Sequence, residues 1–416
     1  MNGLWSNITF RRMFLARFSS NIGDSLYIIG AMWLVHELGG SPFYVGVAGF
    51  LLQLPQALQF LLGPFVDRWE LRRIFVASQL IQGVVILSIP IAALTDTLSI
   101  LLVLTVIPVL SLINQFIYPA QNAALPRIVD ERQLVRANTM FSVSYRSLDI
   151  AAKSIGGILI GVFGTMVLFV VDALTFVIAA LIFATTSIPS AKTGSGQQLG
   201  KEYVRDYLGE VSEGFDYVRN SLLLYIVLSA AIGNVAFGVA FAVLPTFSDG
   251  RGGPEIYGIL LSALAVGMLI GSVTASLLEE LPLGKLLITL FFVGTVSWIL
   301  SIQASSTILM TILFAVAWVP VGAYTVFKQT IIQNTVPNEL IGRVSSTIQS
   351  VSVVSYPFGA LFGGVLGELF GAALVLTLSG LGFLGVVIIF LSHLRLRRLP
   401  AITRVGAEEL SLPNQS

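Results

Sequence analysis

The residues Gly63-Pro64-Phe65-Val66-Asp67-Arg68-Trp69-Glu70-Leu71-Arg72-Arg73 stand at the seam between two apolar runs. Residues 42–66 and 74–94 contain no charged side chain apart from any in the seam itself, which holds five. Each run is long enough to cross a bilayer as a helix, which takes about 20 residues. The seam therefore reads as a tight loop between two membrane spans. Gly63 lets two helices approach closely, and Asp67 can face a helix N-terminus. Arg68, Arg72 and Arg73 hold the loop on the cytoplasmic side. A loop that is basic only to fix orientation is the alternative.

Outward from this seam the whole chain has the same character. Of its 416 residues 55% are hydrophobic and only 11% charged, with a mean hydropathy of +0.88. Soluble domains carry roughly 25% charged residues, so the apolar remainder must face lipid. This excludes a soluble enzyme, a nucleic-acid binder and a disordered chain. Cysteine is absent and His36 and His393 are the only histidines. Disulfides, thiolate zinc sites, cysteine nucleophiles and histidine-rich metal sites are excluded with them.

The hydropathy pattern predicts an all-α membrane protein with twelve transmembrane helices. They cover residues 13–38, 42–66, 73–94, 97–119, 137–161, 165–188, 221–247, 255–278, 283–303, 305–332, 343–368 and 370–393. Turn signals separate them, among them Gly39-Gly40-Ser41-Pro42 and Gly250 to Pro254. The first span is too long for a signal peptide and contains Asp24. With both termini cytoplasmic, 20 of the 23 basic residues fall on the cytoplasmic side and Arg251 alone outside. Arg146 and Lys153 fall within a span.

Residues 189–220 interrupt the pattern and divide the chain into six spans plus six. Tyr203, Tyr207, Leu208, Val211, Phe215 and Val218 recur there at helical spacing, predicting an amphipathic helix on the cytoplasmic face. The expected organisation is an N-terminal six-helix bundle, 1–188, the linker 189–220, a C-terminal bundle, 221–394, and a cytoplasmic tail, 395–416. The halves repeat. Phe163-Gly164 and Phe370-Gly371 match at an offset of 207, as do Gly156-Gly157 and Gly363-Gly364. Ile22-Gly23-Asp24 matches Ile232-Gly233-Asn234 at an offset of 210. Two parallel six-helix repeats suit a rocking transporter; chance likeness between Gly-rich helices is the rival explanation.

The seam fits the pattern G-x-x-x-D-R-x-x-x-R-R, and it resembles the loop signature between spans two and three of the major facilitator superfamily. Asn122 to Asn138 (NAALPRIVDERQLVRAN), Asp172-Ala173-Leu174-Thr175-Phe176 and Pro337 to Ser345 (PNELIGRVS) are similar to the macrolide-efflux and enterobactin-exporter branch, a group of drug/proton antiporters. The likeness covers nearly the whole chain. It implies the major facilitator fold, two pseudo-symmetric six-helix bundles and alternating access. Two departures stand out. Span five reads Ala152-Lys153-Ser154-Ile155-Gly156-Gly157, with Lys153 where drug antiporters carry proline. The second half lacks the acidic loop signature, since Gly271 is followed by Ala275 and Ser276.

Candidate functional residues follow. A charge at mid-bilayer costs at least about 2.5 kcal/mol on insertion scales, so it marks a cavity or a partner. Asp24 lies near the middle of span one. Arg146, Asp149 and Lys153 lie at i, i+3 and i+7 on one face of span five. The family resemblance places both spans beside the central cavity. Asp24 and Asp149 are the proton-coupling candidates, with Arg146 and Lys153 as modulators or as contacts for an anionic substrate. A neutral structural network, with Asp149 bridging the two basic groups, is the alternative. Asn114, Gln115 and Tyr118 in span four are further cavity candidates. So are Asn234, Trp318, Tyr324, Gln349 and Tyr356 in the second half. Asp172 and Glu368 read as structural. Gly63, Asp67, Arg68, Arg72 and Arg73 are expected to meet Gly342 and Arg343 in a cytoplasmic gate.

The expected function is proton-coupled efflux of small amphipathic or drug-like compounds across the cell membrane. The expected partners are lipid, a small-molecule substrate and protons, for a monomer without cofactor, metal or nucleic acid. Enzymatic activity is not expected. An exporter of a siderophore or other anionic metabolite is one alternative, and a non-transporting scaffold or sensor on the same fold is another.

Overall fold

In the computed structural model of the chain, residues 4–56, 70–189, 209, 212–337 and 339–406 are described. The described elements are almost all helical: α1 (Ile8–Gly39), α2 (Pro42–Gln53), α3 (Leu71–Leu94), α4 (Ile100–Ile128), α5 (Leu134–Phe163) and α6 (Met166–Ala184) lead to α7 (Leu223–Gly252). Then come α8 (Pro254–Thr274), α9 (Leu283–Gln303), α10 (Thr307–Thr335), α11 (Ile341–Phe370), α12 (Ala372–Ser379) and α13 (Leu381–Ser392).

Local chemistry sets the ends of these helices. The Asn7 side chain accepts from the backbone N–H groups of Thr9 and Phe10 at 3.0 and 3.1 Å. This cap starts α1 five residues before the expected position. Ser99 and Ser306 cap α4 and α10 in the same way. The helix expected at 97–119 continues to Ile128, beyond the apolar run. The span expected at 370–393 is divided at Gly380, where a β-carbon would lie 2.4 Å from the Trp298 ring.

Among the described residues, nine helices are long and apolar enough to cross a membrane: α3, α4, α6, α7, α8 with its 3-10 extension, α9, α10, α11 and the α12–α13 rod. α1 and α5 match them in length, but Asp24, Glu37, Arg146, Asp149 and Lys153 lower their hydropathy. α2 is described only to Gln53.

Two compact units emerge. One comprises residues 1–40, 51–203 and 252–258; the other comprises 41–50, 204–251 and 259–416. The first has a core of Phe10, Met13, Phe75, Phe141 and Phe183, in which Phe75 and Phe183 stack 4.5 Å apart. In the second, Trp298, Phe314, Trp318 and Phe383 form an aromatic cluster.

The repeat is visible in local geometry. α5 and α11 each have 30 residues, and both ends differ by the same 207 positions. Both end at a glycine of positive φ, Gly164 at +80° and Gly371 at +87°. Each also crosses a neighbour at glycine. A β-carbon on Gly157 would sit 2.2 Å from the Gly258 Cα in the first unit. A β-carbon on Gly364 would sit 2.9 Å from the Gly46 Cα in the second. Small residues allow backbones this close and supply the packing that drives helix association in lipid.

The expected linker helix is described over 212–219. Val218 is buried there and Phe215 exposed. Tyr203, Tyr207, Leu208 and Val211 lie outside the described residues. Tyr217 donates to the Thr335 carbonyl at 3.2 Å, and Gly214 lies against the backbone of Arg343. The segment expected as a tail folds back onto the turn before α9. The Leu283 N–H donates to the Pro400 carbonyl at 3.0 Å, and the Ile402 N–H to the Glu279 carbonyl at 3.2 Å. Leu396, Leu399, Ile402 and Val405 are buried there.

Candidate functional site

The first unit gathers a charged cluster along one face of α1. Arg17, Asp24 and Tyr27 occupy positions i, i+7 and i+10, which return to the same side of a helix. Arg17 is 3% exposed. Its Nε donates to Gln121 Oε1 on α4 and to the Tyr145 hydroxyl on α5, both at 3.0 Å. Nη2 also reaches the Tyr145 hydroxyl, and Nη1 donates to Ser20 Oγ at 3.3 Å. The Tyr145 hydroxyl donates onward to Gln121 at 2.9 Å. These hydrogen-bond partners of the guanidinium are all neutral. The carboxylate on which its charge acts is Asp24, which lies beside Asn114 of α4.

The opposite side of Asp24 is closed by α6. Gly23 has no side chain there, and Asp172 and Thr175 fill the space. A β-carbon on Gly23 would lie 2.1 Å from Asp172 Oδ1 and from Thr175 Oγ1. Asp172 has no solvent exposure. Thr175 Oγ1 donates to its carbonyl at 2.7 Å and lies 3.5 Å from Oδ1, while Oδ2 has no partner. The nearby Tyr27 hydroxyl is buried and equally without a partner. Asp24 and Asp172 act electrostatically on each other, and both act on Tyr27. Among the described residues no group of three or more His, Cys, Asp or Glu could hold a metal ion.

The other sequence candidates scatter. Lys153 pairs with Asp149 at 2.7 Å on α5, the structural arrangement that the i, i+4 spacing permits. Arg146 is exposed and does not join the pair. The guanidinium beside Asp24 comes from Arg17, which the charge count had placed in the cytoplasm. Gln115 donates to the Ser111 carbonyl at 3.2 Å, and Tyr118 is half exposed. Asn234 is half-buried. Its neighbour Gly233 faces open space, so the first half's Gly23–Asp172 contact is not repeated there.

In the second unit Trp318 is buried against Phe237, Trp298 and Phe383, and the Tyr324 hydroxyl donates to the Ile226 carbonyl at 2.8 Å. Both side chains are buried, and the Trp318 Nε1 has no hydrogen-bond partner among the described residues. Tyr356 is buried beside Phe237, and Gln349 is exposed. An apolar groove of about 670 Å³ runs between α7, α11 and α12, lined by Ile232, Val239, Phe370 and Leu378 among others. It carries no charged side chain.

Of the expected gate, Gly63, Asp67 and Arg68 lie outside the described residues. Arg73 pairs with Glu70 at 2.7 Å, and Arg72 reaches the Ala184 carbonyl. Gly342 is exposed, and Arg343 pairs with Glu213 at 2.5 Å. Sequence reasoning missed Arg17, and it read Asp172 as structural. The signal for Arg17 was its place seven residues before Asp24, on the same helix face.

Comparison with known proteins extends this picture. A family model described as transmembrane secretion effector matches residues 4–414. Macrolide efflux protein A of Streptococcus pyogenes is 26% identical over 375 residues, covering 87% of this chain and 90% of the relative. The staphyloferrin A transporter of Staphylococcus aureus is 21% identical, covering 91% and 94%. The crystal structure of a bacterial homolog to the human lysosomal transporter Spinster superposes with a TM-score of 0.69 at 14% identity. That match covers 99% of this chain and all of the other, and it is a likeness of fold.

Proposed function

This chain belongs to the transmembrane secretion effector family of the major facilitator superfamily, and from that premise we propose that it exports a small amphipathic compound across the cell membrane in exchange for protons. The proposed organisation is twelve spans in two six-helix halves, 1–188 and 221–394. The linker 189–220, the tail 395–416 and both termini face the cytoplasm. The halves rock to alternate access to one substrate site. The observation that carries the reading is the charged cluster on α1, where Arg17 is buried and Asp24 half-buried. Arg17 is held by Gln121 and Tyr145, and its charge acts on Asp24. Burying ionised groups in a membrane helix is costly, and such groups mark ion and substrate paths. Asp24 carries the coupling proton in this account, and its repeat-related partner Asn234 cannot titrate.

A second reading has its own support. Arg17 offers a buried cation, and the staphyloferrin A relative is a siderophore transporter by name. On this reading the substrate is an anionic metabolite. A substrate screen in an efflux-deficient host decides between the two, run with and without a dissipated proton gradient. Accumulation of a cationic or neutral amphiphile that falls on expression supports drug-like efflux. Release of an anionic chelate supports the second reading. No coupled flux for any compound would favour a scaffold or sensor and would sink both.

A further inference from the structure

We propose that Asp24 and Asp172 form a single site for one monovalent cation, a proton or a sodium ion, with Arg17 setting the charge balance. The inference deepens the coupling role given to Asp24 and rests on that reading. Three observations on the page lead to it.

First, Asp172 sits opposite Asp24 for a structural reason. Only a residue without a β-carbon at position 23 lets the Asp172 carboxylate reach α1. The hydrogen bond from Ser19 Oγ to the Thr175 carbonyl, at 3.2 Å, ties α6 to α1 at the same level. Asp172 thus meets α1 at the residue next to Asp24, and the Asp24 charge acts on it.

Second, the site has unfilled coordination. Asp172 Oδ2 and the Tyr27 hydroxyl are buried with no hydrogen-bond partner. Buried polar atoms are satisfied in nearly all native structures, and an orphaned carboxylate oxygen is among the most costly exceptions. The oxygens of Asp24, Asp172, Thr175 and Tyr27 form a set that suits a hard monovalent cation.

Third, the charges do not cancel. Two carboxylates against one guanidinium leave one negative charge in a membrane-embedded site. Among the described residues the other basic groups of α5 lie elsewhere, Arg146 being exposed and Lys153 paired with Asp149. α4 presents Asn114 and Gln121, and α5 presents Tyr145. α3, which packs on α6 at Gly83, carries buried Gln79 and Gln82. One cation neutralises the cluster. If it is a proton, a new O–H bond forms on Asp172 Oδ2, and the proton comes from water on the side to which the site is open. No group leaves and nothing is oxidised. Release to the other side restores the negative charge and resets the site.

The proposal has an unusual consequence. Arg17 acts on Asp24, whereas Asp24 acts on Asp172, so removing Asp24 takes away the negative charge that favours a cation at Asp172. Asp24→Asn should therefore weaken cation binding at Asp172, although Asp172 itself is untouched.

The test is labelling of the full chain in liposomes with dicyclohexylcarbodiimide, which modifies protonated carboxyls in apolar surroundings, with the labelled residue mapped by mass spectrometry. The parent should be modified at Asp172 or Asp24, with at most one label per chain. Acidification that promotes labelling, with no effect of sodium chloride, assigns the proton. Protection by sodium chloride at fixed pH assigns sodium. In Asp24→Asn, labelling of Asp172 should fall by about tenfold, the effect of one pKa unit of lost coupling. Undiminished labelling of Asp172 in Asp24→Asn would show two independent groups and overturn the shared site. So would a parent that takes no label and binds no sodium. The coupling role of Asp24 fails separately, by uphill flux that survives Asp24→Asn.

Discussion

Arg17 carries a full charge into the helix bundle and, among the described residues, meets no carboxylate in a direct salt bridge. Its fork is spent on Gln121, Tyr145 and Ser20, and its field falls on Asp24. Removing one member of a buried charged set costs about 3 kcal/mol or more, because the groups left behind lose their partner. Arg17→Gln should therefore destabilise the purified protein by about that amount in thermal unfolding, and should impair transport. Arg17→Lys should retain part of both, since it keeps the charge and loses the planar fork. A glutamine variant as stable and active as the parent would make the network incidental. At this scale the sequence was half legible. Asp24 stood out because a carboxylate in an apolar run is conspicuous. Arg17 did not, because a basic residue near the start of a span looks like an anchor. Asp172 looked structural because nothing in a linear reading shows that Gly23 leaves it room.

Among the elements, α5 and α11 give the clearest agreement between pattern and structure. The 207-residue offset in Phe-Gly and Gly-Gly pairs reappears as equal helix lengths, matched positive-φ ends and paired glycine crossings. Glycine is legible because its absence of a side chain has one main use in a membrane helix, which is close approach. Lys153 at the family's proline position also makes sense here. α5 runs without a break, and Lys153 is held by Asp149 on the same helix. Close packing at Gly157 then gives a definite expectation. Gly157→Leu would drive its side chain into the Gly258 backbone, at an overpacking cost of about 1–3 kcal/mol or more. It should cut transport sharply while the protein still inserts. Gly233→Ala is the control, since that position faces open space, and it should transport normally. Equal activity of the two variants would show that the crossing does not matter. Helix ends were the least legible feature. Asn7 starts α1 early through a cap, and α4 continues as a helix beyond its apolar run.

For the whole molecule, membrane residence followed from composition alone, because 11% charged residues cannot clothe a soluble surface of this size. Orientation is a separate matter and rests on the distribution of arginine and lysine. The lack of cysteine makes it easy to check. Gly250 and Thr403 are both exposed. A cysteine at Gly250 should react with an impermeant thiol reagent in intact cells. A cysteine at Thr403 should react only after permeabilisation. The opposite pattern would invert the topology and move the linker and tail outside.

The central claim is that a cation gradient drives export through Asp24, and uphill flux in proteoliposomes tests it most directly. The protein is reconstituted with a compound from the substrate screen, and an imposed pH gradient supplies the only driving force. Parent protein should concentrate the compound against its gradient. Asp24→Asn should bind it and exchange it downhill, yet fail to concentrate it, and Asp24→Glu should recover part of the uphill flux. If Asp24→Asn concentrates the compound as well as the parent does, Asp24 is not the coupling residue and this account of the site is wrong.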